Sequence, residues 1–280
     1  MTTGRAVAVL ASIALVAAFP AVSRATDIRP AVVLGYDTGG DKIVTVTFTN
    51  GETDSIRANE GFYLGLGVSV INDDKNIEFL GTVNYKFASI HASNGDIDWT
   101  RVPLDALLFY RQEKFRVGGG VNNVSLANGD ATAEIRHYRG PFEVGFNFRY
   151  LSFTDAKVAS SSPVLAWDTG EQWRLAARYT YSFSSFRSTG DTSGDQSVLV
   201  RETFRASHRL DMTATYAYGI ESFEDLTADR IRNLGAQTVA ASVRVRMATL
   251  TTAAATWEHQ WRSDDSRLDR LTVLLVQRFR

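Results

Sequence analysis

The 280-residue chain contains no cysteine, which excludes a disulfide framework, a thiolate metal site and a cysteine nucleophile. Its formal net charge at pH 7 is -1, and this near balance gives no reason to expect nucleic acid as a partner. Histidine is scarce, with four residues, and no H-E-x-x-H or other paired-histidine spacing occurs. No metal site and no cofactor are therefore expected.

Long hydrophobic runs are also missing, except at the N-terminus. There, Arg5 precedes an uncharged apolar stretch over residues 6–19, and Ser23 and Ala25 are small residues at the -3 and -1 positions of a cleavage site. This layout is typical of a secretory signal peptide. The alternative is an uncleaved membrane anchor, but the stretch is shorter than the roughly 20 residues that span a bilayer.

The predicted organisation is a signal peptide at residues 1–25 followed by one domain over residues 26–280. Beyond residue 26 no apolar run approaches the length of a membrane-spanning helix. Only helices and closed barrels satisfy every backbone polar group in hydrocarbon. If the mature chain is integral to a membrane, it must therefore be a barrel.

Most of the mature sequence alternates apolar and polar residues with a period of two. The clearest segments are residues 61–70, 77–87, 142–150 and 173–183. Strict alternation is typical of strands with one apolar and one polar face. The segments are long enough for transmembrane strands, which need about 9–11 residues, whereas globular strands average about 5–6. Aromatic residues that fit the expected interface girdles are Tyr216, Tyr218, Trp257 and Trp261.

The connections alternate between short turns and longer polar loops. The short ones lie near residues 71–75, 112–114, 139–141, 168–171, 206–209 and 248–249. The longer ones lie near residues 49–53, 89–98, 126–130, 154–162, 187–196, 222–233 and 262–269. The pattern predicts an all-β fold, a transmembrane up-and-down antiparallel β-barrel of about 14 strands with periplasmic turns and extracellular loops. The count becomes about 12 if the first hairpin, with Asn50-Gly51 at its turn, stands outside the wall.

The last segment places Leu271, Val273 and Leu275 on one face and ends with Phe279 one position before the C-terminus. It resembles the terminal strand by which the barrel-assembly machinery recognises outer-membrane barrels. Arg280, which follows the aromatic residue, departs from that pattern.

Two wider resemblances cover nearly the whole mature chain. Residues 140–279 resemble the YaiO type of outer-membrane protein, through Gly140-Pro141-Phe142, residues 174–179, residues 216–219 with Glu221, and residues 271–279. The first half is similar to a second group of proteobacterial outer-membrane barrels without assigned activity, through residues 35–37, 39–41, 91–96 and 99–101. Both resemblances imply an outer-membrane location in a Gram-negative bacterium. Neither supplies catalytic residues.

If the apolar residues face lipid, the intervening polar residues face the lumen. The lumen-lining candidates are Glu143, Arg149, Arg174, Arg178, Arg244 and Arg246. The arginines come from three strands and would give one side of the lumen a basic lining that binds or passes anions. The alternative is a plug of salt bridges, because side chains fill barrels of about eight strands whereas about sixteen leave a channel.

A second class of function is a hydrolase that acts on lipid or peptide at the cell surface. His91 lies near Ser93 and Asp96 in a predicted loop, but polar loops are rich in such residues anyway. His259, between Trp257 and Trp261, is expected at a membrane interface. No residue is predicted to be catalytic. A third alternative, a soluble periplasmic barrel or sandwich, would have a polar exterior.

The sequence therefore predicts an outer-membrane β-barrel of structural or transport type, and a narrow channel with a partly basic lumen is one form that it could take. Its expected partners are outer-membrane lipid, lipopolysaccharide and the barrel-assembly machinery.

Overall fold

A computed structural model describes residues 25–39, 42–47, 53–57, 60–92, 95–124, 129–152, 156–220, 235–263 and 267–279. The predicted signal peptide up to residue 24, the Asn50-Gly51 turn and the loop at residues 222–233 lie outside the described residues. Within the described ranges, no helix has the length and apolar character to cross a membrane.

The described part of the chain forms antiparallel strands joined in a meander. The strands are β1 (Ala25–Gly39), β2 (Lys42–Thr47), β3 (Thr53–Arg57), β4 (Gly61–Asn72), β5 (Ile77–Ala92), β6 (Gly95–Arg101), β7 (Leu104–Arg111), β8 (Phe115–Val124), β9 (Gly129–Arg139), β10 (Phe142–Ser152), β11 (Ala156–Asp168), β12 (Trp173–Phe186), β13 (Thr192–Ser207), β14 (Leu210–Ile220), β15 (Gly235–Arg246), β16 (Thr251–Arg262) and β17 (Arg267–Arg278).

The wall of the barrel is closed. Strand β1 pairs with β17 on one side and with β4 on the other, and β4 pairs in turn with β5. Strands β2 and β3 form a separate two-stranded sheet, and β6 pairs only with the far part of β5. Fourteen strands remain in the wall, which confirms the predicted all-β antiparallel barrel and its strand count. Closure leaves no wall strand with an unpaired edge to be satisfied in hydrocarbon.

Several predicted loops are shorter than the sequence pattern suggested. Residues 156–162, predicted as part of a loop, belong to β11, and β13 already begins at Thr192. The loop predicted at residues 89–98 is mostly strand, because β5 runs on to Ala92 and pairs with β6. The sequence of β11 lacks a clear alternation because its serine side chains are small and polar on both faces. Ser160 and Ser162 pack beside the hydroxyl-bearing Ser182 and Thr180 of β12, so a strand there needs no apolar row.

The outward face of the barrel is apolar. On β10, Phe142, Val144, Phe146 and Phe148 are each at least 44% exposed, whereas Glu143 is 8% exposed. Aromatic pairs lie toward both ends of the wall, Trp173 with Phe204 near the short turns and Trp257 with His259 and Trp261 near the longer connections. Such a belt with aromatic ends matches the lipid-facing surface of a transmembrane barrel.

The inward face carries the polar groups. Buried polar residues alternate with the outward apolar row, and they include Asp130, Glu143, Ser160, Ser162, Thr180, Ser182, Ser184, Asp195, Ser197, Thr238 and Gln260. A polar interior beneath an apolar exterior inverts the usual soluble fold, and it is what the alternation of a barrel in a bilayer requires.

Candidate functional site

A cavity of about 520 Å³ opens on the inward face of strands β8–β13. Its charged lining consists of five arginines and two glutamates: Arg116, Arg136, Arg174, Arg178, Arg201, Glu134 and Glu143. The lining therefore carries three more positive than negative charges. The predicted candidates Glu143, Arg174 and Arg178 meet in this one cavity.

Each of the two glutamates contacts two arginines. Glu134 contacts Arg116 at 3.2 Å and Arg136 at 3.5 Å. Glu143 contacts Arg136 at 3.4 Å and also pairs with Arg174. The result is a ladder of ion pairs that runs around the wall from β8 to β12. It holds the guanidinium groups in fixed positions against the wall.

The ladder continues toward the short-turn end of the barrel. Arg174 donates to Asp168 at 2.8 Å, and Asp168 also contacts Arg205 at 3.8 Å. The side chains of Asp168 and Arg205 are both more exposed than that of Glu143. Ion pairs in water contribute about 0–1 kcal/mol, so this exposed end of the ladder is expected to add little stability.

The backbone makes room for the ladder at Gly145. Gly145 lies opposite Arg136 in the β9–β10 register, and Arg136 extends across it to reach Glu143 and the amide oxygen of Asn147 at 2.9 Å. A Cβ atom on Gly145 would lie 2.5 Å from Cδ of Arg136. Only glycine therefore lets the arginine lie flat on the wall.

We expect Gly145→Ala to displace Arg136 and to lower the free energy of unfolding by about 1–2 kcal/mol, the usual range for overpacking. Urea unfolding of the barrel in lipid vesicles measures the change. Gly67→Ala is the matched control, because a Cβ atom there would meet nothing nearer than 3.4 Å. Equal effects of the two substitutions would contradict the role given to Gly145.

A second cavity, also about 520 Å³, lies on the opposite side of the barrel. Its charged lining is balanced, with Arg29 and Arg278 against Glu78 and Asp105. Of these two cavities, only the one on strands β8–β13 has an excess of positive charge among the described residues. This is the side on which three of the predicted arginines, Arg149, Arg174 and Arg178, are found.

The remaining predicted residues, Arg149, Arg244 and Arg246, do not line the cavity. Arg149 is held by Asp130, which accepts from its Nε at 3.0 Å, and Asp130 is only 4% exposed. Arg244 and Arg246 lie at the short-turn end of β15, where both are exposed. Arg244 approaches Asp211 only to 4.0 Å. These two arginines therefore stand at the mouth of the barrel, away from the cavity.

Sequence reasoning missed four residues of the cavity, namely Arg116, Glu134, Arg136 and Arg201. The register shows why. His137 and Glu202 lie on the outward row beside Arg136 and Arg201, and each interrupts the apolar alternation that would have marked its neighbour as inward. Arg116 lies between the apolar residues Phe115 and Val117, so local alternation could have identified it as inward.

The histidines do not assemble a hydrolytic site among the described residues. His259 contacts Asp269 at 2.7 Å on the outward face, between Trp257 and Trp261. Its lateral neighbour on β15 is Val239, so this pair has no hydroxyl nucleophile beside it in the register. The side chain of His91 lies outside the described residues. No group of three or more histidines and carboxylates that could hold a metal ion occurs in the described ranges.

No protein-family model matches the chain, and no curated protein matches it significantly. Solved structures with the same fold are a loop-deletion mutant of OmpT, an outer membrane protein of Vibrio cholerae (TM-score 0.53, 10% identity), and an anion-selective porin from Comamonas acidovorans (TM-score 0.50, 8% identity). The chain also resembles the toluene transporter TodX of Pseudomonas putida (TM-score 0.50, 11% identity). The alignments cover 90% of this chain and 98%, 99% and 89% of those chains, respectively.

The closed wall, the apolar exterior and these structural similarities define the class of protein to which the chain belongs. The chain is an outer-membrane β-barrel protein, and its location is the outer membrane. Within that class, the fold of the 14-stranded barrel is similar to the folds of the porin and the transporter named above.

Proposed function

We propose that the barrel is a narrow channel for small anions and that the arginine-rich cavity is its selectivity site. The observation that carries this proposal is the lining of five arginines and two glutamates around about 520 Å³ of space. Fixed charges that line a pore raise the local concentration of the opposite ion and bias permeation. The Comamonas acidovorans porin of the same fold is described as anion-selective, which agrees with this reading.

The plugged barrel is the competing structural reading. It predicts equal numbers of positive and negative inward charges, as in the second cavity, whose lining contains two arginines and two carboxylates. The arginine-rich cavity does not follow that rule, because its lining has an excess of positive charge.

The proposal is tested by the reversal potential in planar bilayers under a salt gradient. We expect the wild-type channel to prefer chloride over potassium. Arg178→Gln together with Arg201→Gln should lower the anion-to-cation permeability ratio by about threefold or more, because two of the fixed charges are lost. Absence of conductance in the wild type, or a ratio that the double variant leaves unchanged, would contradict the proposal.

Arg209→Gln supplies the control for that measurement. Arg209 is exposed in the short turn between β13 and β14 and does not line the cavity. The same chemical change outside the cavity should leave the permeability ratio near the wild-type value. A matching loss in this variant would mean that the overall charge of the protein, and not the cavity, sets selectivity.

The YaiO-type resemblance, the association with lipopolysaccharide and assembly by the barrel-assembly machinery belong to the same proposal. The apolar belt and the terminal Phe279, which is 45% exposed on the outward face, support them. The hydrolase alternative has less support, because the His259–Asp269 pair faces outward beside apolar and aromatic neighbours.

A further inference from the structure

A cluster of apolar side chains interrupts the polar inward face near the longer connections. Leu151, Ala156 and Val158 pack together and are only 2–5% exposed. Phe186 packs against them and is less deeply buried. Leu151 and Val158 are direct neighbours in the β10–β11 register, and Ala156 lies opposite Phe186 in the β11–β12 register. The cluster therefore joins three consecutive strands of the wall.

The alternation within each strand places this cluster on the lumen side. On all three strands, a residue that lines the arginine-rich cavity and a residue of the cluster are separated by an even number of positions. These pairs are Glu143 with Leu151 on β10, Val164 with Val158 on β11, and Arg178 with Phe186 on β12. The registers between these strands keep one alignment from one level to the other. Because side chains alternate with a period of two, the cavity and the cluster share the inward face.

The cavity and the cluster lie at different levels of the same wall. Val164 and Val158 are six residues apart on β11, which corresponds to about 20 Å along an extended strand. Buried hydroxyl groups occupy the interval on β11 and β12, namely those of Ser160, Ser162, Thr180 and Ser182. An anion that moves along this wall from the cavity toward the longer connections therefore meets hydroxyl groups first and the apolar cluster next.

The polar neighbours of the cluster offer an anion little compensation for lost water. On β9, Asp130 lies opposite Leu151 and is already paired with Arg149, whose Nε donates to both carboxylate oxygens at 3.0 and 3.1 Å. On the other side, β13 contributes the buried carboxylate of Asp195, which accepts from the Ser193 hydroxyl at 3.1 Å. The excess of positive charge in the cavity is thus not repeated by these neighbours.

We propose that this cluster is a hydration filter in series with the arginine-rich cavity, and that the barrel passes weakly hydrated small anions such as thiocyanate. The filter rests on the anion channel proposed above and narrows the class of anion that the channel passes. An apolar section of a pore makes an ion shed water without replacing it, and the cost rises with the strength of its hydration. The cavity attracts strongly and weakly hydrated anions alike, whereas the cluster discriminates between them.

The test is the permeability ratio of thiocyanate to fluoride, from reversal potentials with the two anions on opposite sides of a planar bilayer. Both ions carry one negative charge, but fluoride binds water far more strongly. We expect the wild type to favour thiocyanate about tenfold or more. Phe186→Asn should lower the ratio to about threefold or less, because the amide donates hydrogen bonds that replace lost water.

Two controls separate polarity from size and from position. Phe186→Leu introduces a side chain of similar size to asparagine but without polar atoms, so it should keep the wild-type ratio. Val164→Asn makes the polar change on β11 inside the cavity and should also leave the ratio unchanged. Phe186→Tyr adds only a hydroxyl group to the ring and should lower the ratio, which repeats the test if Phe186→Asn fails to fold.

The outcomes separate the filter from the channel. An anion-selective current without a preference for thiocyanate, or a preference that the polar variants retain, overturns the filter and leaves the channel intact. An equal loss of preference in Phe186→Leu and Phe186→Asn also overturns it, because size and not polarity would then matter. If the folded wild type and the folded polar variants carry no current, the channel and the filter are both wrong. Current in the polar variants alone overturns the wild-type channel but supports the cluster as an apolar barrier in the lumen.

Discussion

Val273→Arg is expected to destabilise the barrel by about 2–4 kcal/mol, the cost of a lipid-facing arginine near the bilayer midplane. Val273 lies in the middle of β17, is 45% exposed on the outward face, and pairs with Tyr36 and Ala255. A guanidinium there has no partner within the apolar belt. The loss is measured by urea unfolding from lipid vesicles and by the folded fraction on refolding.

The adjacent residue supplies the control for this substitution. Thr272 lies one position away on β17, on the inward face, opposite Asp37 of β1. Thr272→Arg introduces the same side chain into the polar lumen, where Asp37 already accepts from Lys86 at 2.6 Å. We expect this variant to lose much less stability. If the two substitutions have equal effects, or if Thr272→Arg is the worse, the assignment of the two faces is wrong.

The fold could be predicted from the sequence because nearly every wall strand alternates apolar, lipid-facing residues with polar, lumen-facing residues. A lipid-facing row must be apolar and a lumen-facing row need not be, so segments such as residues 142–150 show the period directly. The prediction of a loop over residues 156–162 was wrong because the outward-facing residues there are not distinctly apolar. On β11, Ala159 and Ser161 alternate with Ser160 and Ser162, and the sequence offers no contrast between the two faces.

The candidate site was only partly predictable, for a related reason. Inward orientation follows from local alternation, and this is why Glu143, Arg174 and Arg178 were among the predicted lumen-lining residues. Which inward residues meet depends on the register between strands, and single-strand patterns do not contain it. The sharing of Glu143 by Arg136 and Arg174 joins β9, β10 and β12 and becomes visible only in the assembled wall.

Glu143→Gln is expected to have the largest effect within the cavity. Glu143 is 8% exposed and neutralises Arg136 and Arg174 together. Removing one member of a dry buried ion pair costs about 3–5 kcal/mol, and the adjoining cavity screens part of this, so we expect a loss of about 2–3 kcal/mol. Urea unfolding in vesicles measures it. Asp168→Asn is the control, because Asp168 is 34% exposed and should cost about 1 kcal/mol or less.

The same substitution also separates the channel from the plug. Without Glu143 the cavity lining has four more positive than negative charges instead of three, so the anion-to-cation permeability ratio should rise while stability falls. Arg178→Gln with Arg201→Gln should move the ratio in the opposite direction. A plug has no reason to respond in opposite senses to the loss of an acid and the loss of a base, since both would only loosen its packing. A Glu143→Gln barrel that loses stability without gaining anion preference would therefore show that these charges hold the wall together but do not select ions.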